Sequence, residues 1–237
     1  MTEELFRQDA YLRQCDATVV AVDGDGVWLD RTVFYPSGGG QPGDTGVLRL
    51  SSGRELEISD TRKDQAGDVM HVVPGASAAV RPGDAVVAEI DWRRRHRHMR
   101  MHSCLHLLCA LVPGGVTGGS VGDGKGRLDF DLETPPDKDE LTAAINRLIA
   151  EDRALRARWV TDDELAARPE LVRTMSVKPP MGTGRVRLME VEGVDLQPCG
   201  GTHVAATGEI GPVAITKIES KGKRNRRIAV AFADEAG

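Results

Sequence analysis

Two short stretches, nearly a hundred residues apart, carry side chains that bind transition metals: His102-Ser103-Cys104-Leu105-His106 and Cys199-Gly200-Gly201-Thr202-His203. The first lies in a run from Arg100 to Leu111 that lacks Gly and Pro and reads as helix. Positions i and i+4 of a helix share one face, so both imidazoles can reach one ion. The second is loop-like, and its two glycines let the backbone bend until Cys199 and His203 converge. Three imidazoles and one thiolate suit Zn2+, which prefers borderline-soft ligands in a tetrahedron. If water replaces one ligand, the ion acts as a Lewis acid and the chain reads as a hydrolase. His98, one turn before His102, is the rival ligand; it is assigned instead to support the site or face a phosphate.

A closed, purely structural zinc site is the competing interpretation, because four protein ligands fill the tetrahedron. Structural sites usually draw their ligands from short knuckles, however, and these come from distant segments. No Glu follows His102, which excludes the HExxH metalloproteases, whose general base is that carboxylate.

The elements needed to position these ligands can be read around them. Alternating segments at Ala17–Val22, Gly26–Asp30, Gly46–Leu50, Glu55–Ile58, Val69–Val73 and Asp84–Ile90 are separated by Gly, Asp and Pro turns. They predict a small antiparallel barrel over residues 1–90, with a hairpin at Asp23-Gly24-Asp25-Gly26. Asp91 should cap a helix that runs to about Leu111, where Pro113-Gly114-Gly115 stops it. Beyond it, Leu141, Ile145, Leu148, Ile149 and Leu155 have helical spacing behind an Asp137 cap. Strands are expected around Arg127–Asp131, Arg185–Leu188, Val213–Ile218 and Arg227–Ala231. The expected class is therefore α+β, with a β-barrel at 1–90 and an α+β domain at 91–237.

The 237 residues carry a net charge of −5, with 40% apolar and 28% charged side chains, as in soluble globular proteins. No apolar run is long enough to span a bilayer and Met1–Leu5 carries no signal-peptide pattern, so the chain reads as cytoplasmic. Cys15, Cys104 and Cys109 are then expected as reduced thiols, the latter two in the core. Two basic runs, Arg93–Arg100 and Lys217–Arg227, are local exceptions to the acidic balance that can steer phosphates.

Five segments in order make the chain resemble the free-standing alanyl-tRNA editing proteins of the AlaX group, in their longer form. They are Phe34-Tyr35-Pro36-Ser37-Gly38-Gly39-Gly40-Gln41-Pro42-Gly43-Asp44, His102–His106, Gly118–Phe130, Cys199–His203 and Lys221–Ile228. The group is similar to the editing domain of alanyl-tRNA synthetase. The His/His and Cys/His pairs alone also look like that of threonyl-tRNA synthetase, but the Gly-Gly-Gly-Gln segment favours the alanyl group. The resemblance implies a translation-factor-like N-terminal barrel, a zinc-holding editing domain, and hydrolysis of mischarged tRNA(Ala), chiefly the seryl ester, with the glycyl ester left open. Cys104 departs from the small residue expected there, and its spacing puts it off the ligand face.

Such an enzyme must accept serine and spare alanine, which is smaller by a hydroxyl. A size sieve cannot do this, but a buried polar partner for the hydroxyl can, at roughly 1–3 kcal/mol. Thr117 and Ser120 are the candidates, Thr117 first. Gly40 and Gln41 are expected in a tight loop at the substrate, fixed by Gln41 and Asp44, and Lys125, Arg127, Lys223, Arg226 and Arg227 as tRNA phosphate contacts. No nucleotide motif is present, so ATP use is not expected. The alternatives are a non-catalytic, zinc-stabilised tRNA-binding module, or an editing hydrolase for another substrate such as Ser-tRNA(Thr).

Overall fold

The computed structural model describes residues 2–172 and 184–235. The chain is mixed α+β and divides into two compact units, Met1–His96 and Arg97–Gly237.

In the first unit the expected alternation becomes strands β1 (Gln14–Asp23), β2 (Gly26–Leu29), β3 (Gly46–Leu50), β4 (Glu55–Ile58), β5 (Asp60–Lys63), β6 (Val69–Val72) and β7 (Ala85–Ile90). They form one sheet in the order β4-β3-β7-β1-β2-β6-β5, and every pairing within it is antiparallel. The β1–β2 hairpin turns where Asp23 pairs with Gly26, with Gly24 at φ 58°. Inward-facing Val19, Val27, Leu29, Leu48, Ile58 and Ala88 form the core with Phe34. The expected closed barrel is corrected: the outer strands β4 and β5 share no ladder. They succeed one another along the chain across Ser59, one pairing with β3 and the other with β6. The sequence pattern gives strands and turns, but a period-two pattern does not tell a closed sheet from an open one.

Helix α1 (Trp92–Leu111) starts where expected: Asp91 Oδ1 accepts from the Arg94 N–H at 3.1 Å. The division between the units falls inside this helix.

In the second unit, β8 (Gly115–Val121), β9 (Lys125–Asp131), β13 (Val213–Ser220) and β14 (Asn225–Phe232) make an antiparallel sheet ordered β8-β9-β14-β13. Helix α2 (Lys138–Ala150) begins on the Asp137 cap, which accepts from the Asp139 and Glu140 N–H groups at 2.9 Å. Asn146 of α2 grips β13 twice, donating to Val213 O at 2.8 Å and accepting from Val213 N at 3.0 Å. Leu155 belongs not to that helix but to β10 (Leu155–Thr161), which joins β11 (Arg185–Val191) and β12 (Asp195–Pro198) in a separate sheet ordered β10-β11-β12. Helix α1 lies against β9, where a Cβ on Gly126 would meet the Met101 sulfur at 2.9 Å. Its stretch from His102 to Cys109 is wholly buried. No helix among the described residues is long and apolar enough to cross a membrane.

Candidate metal centre

The helical and loop stretches meet. One ligand atom from each of His102, His106, Cys199 and His203 lies within 4.8 Å of the others. His102 and His106 come from successive turns of α1, and Cys199 follows directly on β12. The Cys199 sulfur sits 3.5 Å from His102 Nε2 and 3.2 Å from His203 Nε2. For zinc, bonds of about 2.3 Å to sulfur and 2.0–2.1 Å to nitrogen place tetrahedral ligands about 3.6 Å apart, so these separations suit one small ion. The imidazoles converge as well, with ring centres 4.3 Å apart for His102 and His203 and 4.6 Å for His106 and His203.

The ligands are held from behind. His106 Nδ1 lies 3.1 Å from Asp195 Oδ2, and Gln197 Nε2 donates to the same oxygen at 2.8 Å. His203 Nδ1 is 3.1 Å from Ser103 Oγ, which also accepts from the Val204 N–H. Occupying Nδ1 in this way fixes the ring and leaves Nε2 to the side-chain cluster, where it could bind a metal ion, as partners behind metal-binding histidines commonly do. The bend between Cys199 and His203 is held by Arg187, whose Nη1 donates to both Cys199 O and Gly201 O at 2.9 Å.

The electrostatics favour the metal-binding forms of Cys199 and His203, a thiolate and a neutral imidazole, whereas His106 must give up a proton to bind a metal. Burial by itself raises the Cys199 thiol, but the His102 and His203 rings and hydrogen bonds from His102 and His106 outweigh it, holding the thiol well below its ordinary value. Burial lowers His203 and the neighbouring His102 adds to this, leaving it well below the usual imidazole range. Burial also lowers His106, yet the hydrogen bond to Asp195 and the contact with Cys199 reverse the balance and push it up to about 9. Cys104, buried and pushed up to about 12 by burial, is an inert core thiol, as its spacing predicts.

The other singled-out residues fall in several places. His98 is buried on α1 outside the ligand cluster. Thr117 lies on β8, not in a turn, and is the extra residue of a bulge between Val116 and Gly118. Its hydroxyl faces Asp129 O at 3.2 Å and Asn225 Oδ1 at 3.3 Å. Ser120, half-buried, pairs with Arg127 across β8–β9. Lys125 and Lys223 are exposed. Arg127 and Arg227 both bind the Asp129 carboxylate, Arg227 through two nitrogens at 2.7 and 2.9 Å. Arg226 donates to the carbonyls of Gly222 and Glu133.

Gly40 and Gln41 belong to the first unit. Gly38 and Gln41 exchange backbone hydrogen bonds of 3.0 and 2.9 Å around Gly39 and Gly40, whose φ angles of 56° and 80° are those of a type I′ turn. Asp44 ties the segment down by accepting from the Tyr35 N–H at 2.6 Å, and Gln41 is buried. Gly43 has no room for a side chain, since a Cβ would stand 2.0 Å from Thr61 O.

In the basic run before the helical ligands Arg93 is exposed, while Arg94, Arg95, Arg97 and Arg100 are engaged within the protein. Arg95 is fully buried and ion-paired with Asp44, and donates to Val33 O and Ala10 O. Arg94 bonds Gly43 O, Arg97 pairs with Asp123 and Glu235, and Arg100 packs over Phe232. Sequence reading also missed Asp195, Gln197 and Arg187. The alternation Asp195, Gln197, Cys199 is the signal that could have found two of them, because every second residue of a strand shares a face.

Residues 186–229 match the family described as the threonyl and alanyl tRNA synthetase second additional domain, and residues 7–94 match tRNA synthetases class II (A). The alanyl-tRNA editing protein AlaX-M of Methanosarcina barkeri is 40% identical over 245 residues, covering 99% of this chain and 100% of the relative. The AlaX-M protein of Saccharolobus solfataricus is 33% identical, covering 96% of this chain and 98% of the relative. The alanine–tRNA ligase of Sulfurisphaera tokodaii is 31% identical across 92% of this chain, which corresponds to 25% of the ligase. With identity of this degree sustained from end to end, the chain belongs to the AlaX family of alanyl-tRNA editing proteins.

Proposed function

We propose that this protein hydrolyses mischarged tRNA(Ala) in trans, chiefly Ser-tRNA(Ala) and secondarily Gly-tRNA(Ala), at a zinc centre built from His102, His106, Cys199 and His203. The observation that carries this reading is the convergence of those four ligand atoms within 4.8 Å. Bound there, zinc would supply Lewis acidity for attack on the aminoacyl ester, whose carbonyl is already activated. The chain's own contribution is positional. Asp195 and Ser103 orient two of the imidazoles, Arg187 holds the loop, and no side chain is assigned as a general base.

Thr117 is proposed to select serine, because a bulge re-aims the side chain it carries. A hydroxyl that donates to Asp129 O or Asn225 keeps lone pairs with which to accept from the substrate hydroxyl. Ser120, Gly40 and Gln41 complete the proposed substrate contacts. Lys125 and Lys223, being exposed, are the leading phosphate contacts on the tRNA; Arg127, Arg226 and Arg227 assist from their ion-paired or carbonyl-bound positions. Residues 91–237 would be the editing domain, and no ATP is required.

Deacylation of Ser-, Gly- and Ala-tRNA(Ala) and Ser-tRNA(Thr), with and without a chelator, tests the reading. Turnover of Ser-tRNA(Ala) that the chelator abolishes and zinc restores is expected, with Ala-tRNA(Ala) spared. Binding without turnover contradicts it. Thr117→Val should lower the serine-over-alanine preference by roughly 10-fold, the worth of one hydrogen bond, with metal content unchanged.

A further inference from the structure

Register in the three-stranded sheet sorts its residues into rows. Leu155, Val191 and Asp195 face one another across β10, β11 and β12, as do Ala157, Met189 and Gln197. The next row is Trp159, Arg187 and Cys199, since Trp159 pairs with Arg187 and the Cys199 N–H donates to Arg187 O at 3.1 Å. Directly opposed residues share a face, so one face of this sheet carries Asp195, Gln197 and Cys199 at its inner strand and Trp159 at its outer strand. Both faces are largely covered: Val160, Val186, Leu188 and Leu196 lie on the opposite face against Leu165 and Leu171, and Leu155, Met189, Val191, Asp195 and Gln197 are buried on the metal-bearing one.

On the metal-bearing face the outer strand is exposed at Ala157 and Trp159, and Trp159 is the large apolar side chain of the two. It is 50% exposed, beside Arg187, which is 8% exposed. Two strand spacings separate it from Cys199, about 10 Å from backbone to backbone. Leaving a large apolar ring in water on this row costs hydrophobic stabilisation, and a flat partner would recover it.

We propose that Trp159 is a stacking platform for the terminal nucleobase of the aminoacylated tRNA. This rests on the reading of the metal centre as the place where the ester is cut. The ester hangs from the terminal ribose, so with its carbonyl at the metal the attached base must lie one nucleoside away, the distance at which the row places Trp159. Every base has a π-face, so such a platform holds the end of the chain without reading its sequence.

The test uses the full chain with Trp159→Ala and Trp159→Phe, on two substrates and one probe. On Ser-tRNA(Ala), Trp159→Ala should lower kcat/KM by roughly 10- to 100-fold, mostly through KM, whereas Trp159→Phe keeps most of it. On serine methyl ester, which has no base, all three proteins should match. A cytidyl-cytidyl-adenosine trinucleotide should quench wild-type tryptophan emission, and much less that of Trp159→Phe, where only Trp28 and Trp92 remain. Equal kcat/KM for wild type and Trp159→Ala on Ser-tRNA(Ala), or equal quenching in wild type and Trp159→Phe, overturns the platform. So does a concentration-dependent dimer that Trp159→Ala dissolves, because a second copy would then cover the ring. Quenching that depends on Trp159 in a protein that deacylates nothing would sustain the platform and sink the hydrolase reading.

Discussion

Each unit buries a constellation of polar side chains, and the two are built on opposite principles. In the first unit the Arg95 guanidinium donates to Asp44, Val33 O and Ala10 O, and His71 spends both ring nitrogens, one on Thr32 Oγ1 at 2.8 Å and one on Val27 O at 3.1 Å. Donors meet acceptors there, and the arrangement is complete within the protein. In the second unit His102 and His203 aim Nε2 at the Cys199 sulfur, with the His106 ligand atom in the same 4.8 Å cluster, so lone pairs converge on lone pairs. Only a cation or protons can balance that arrangement. Burial and perturbed titration alone thus do not mark a functional site; the mismatch between donors and acceptors does.

The largest expected effect breaks the second constellation outright. Cys199→Ala should remove bound metal and lower deacylation by more than the roughly 10–100-fold that losing a supporting partner costs. Metal content per chain and single-turnover deacylation measure it. Arg95→Ala breaks the first constellation by leaving the Asp44 carboxylate buried and unpaired, and should destabilise the fold by about 3–5 kcal/mol in urea unfolding.

His71 sharpens the contrast through pH. Burial, opposed by the hydrogen bond to Val27, lowers it from 6.5 to about 4. The folded state therefore resists the proton that the unfolded chain accepts. Stability should be full above pH 6.5, decline by about 3 kcal/mol as pH falls from 6.5 to about 4, and then level off. Urea midpoints at pH 7, 5.5 and 4 should show this decline, reduced in His71→Gln. The smallest effect is Asp195→Asn, which keeps the shape but weakens the hold on His106. Metal affinity should fall roughly 10–100-fold by competition with a chromogenic chelator, with the fold intact.

Whether a feature was legible in the sequence depended on how local it is. His102 and His106 are one turn apart, so their shared face follows from helix geometry alone, and Asp91 and Asp137 announce their helices by capping chemistry. The strands of the first unit are visible because turns with Gly, Asp or Pro bracket each alternating run. By contrast β8 is hidden, since Gly118 and Gly119 look like turn residues until β9 is laid beside them. Four-residue β12 is too short for its alternation to stand out, and Asp195 and Gln197 passed unnoticed with it. Arg95 is indistinguishable from its basic neighbours, because what buries it is Asp44, 51 residues earlier. Closure of the first sheet depends on pairing between strands and is not written in any one of them.

X-ray absorption at the metal edge of the purified, zinc-loaded protein tests the central claim most directly. One ion per chain is predicted, with three nitrogens at about 2.0–2.1 Å and one sulfur at about 2.3 Å, and the sulfur shell should vanish in Cys199→Ala. A first shell without sulfur, or an unchanged shell in that variant, would mean that the two distant stretches do not share an ion.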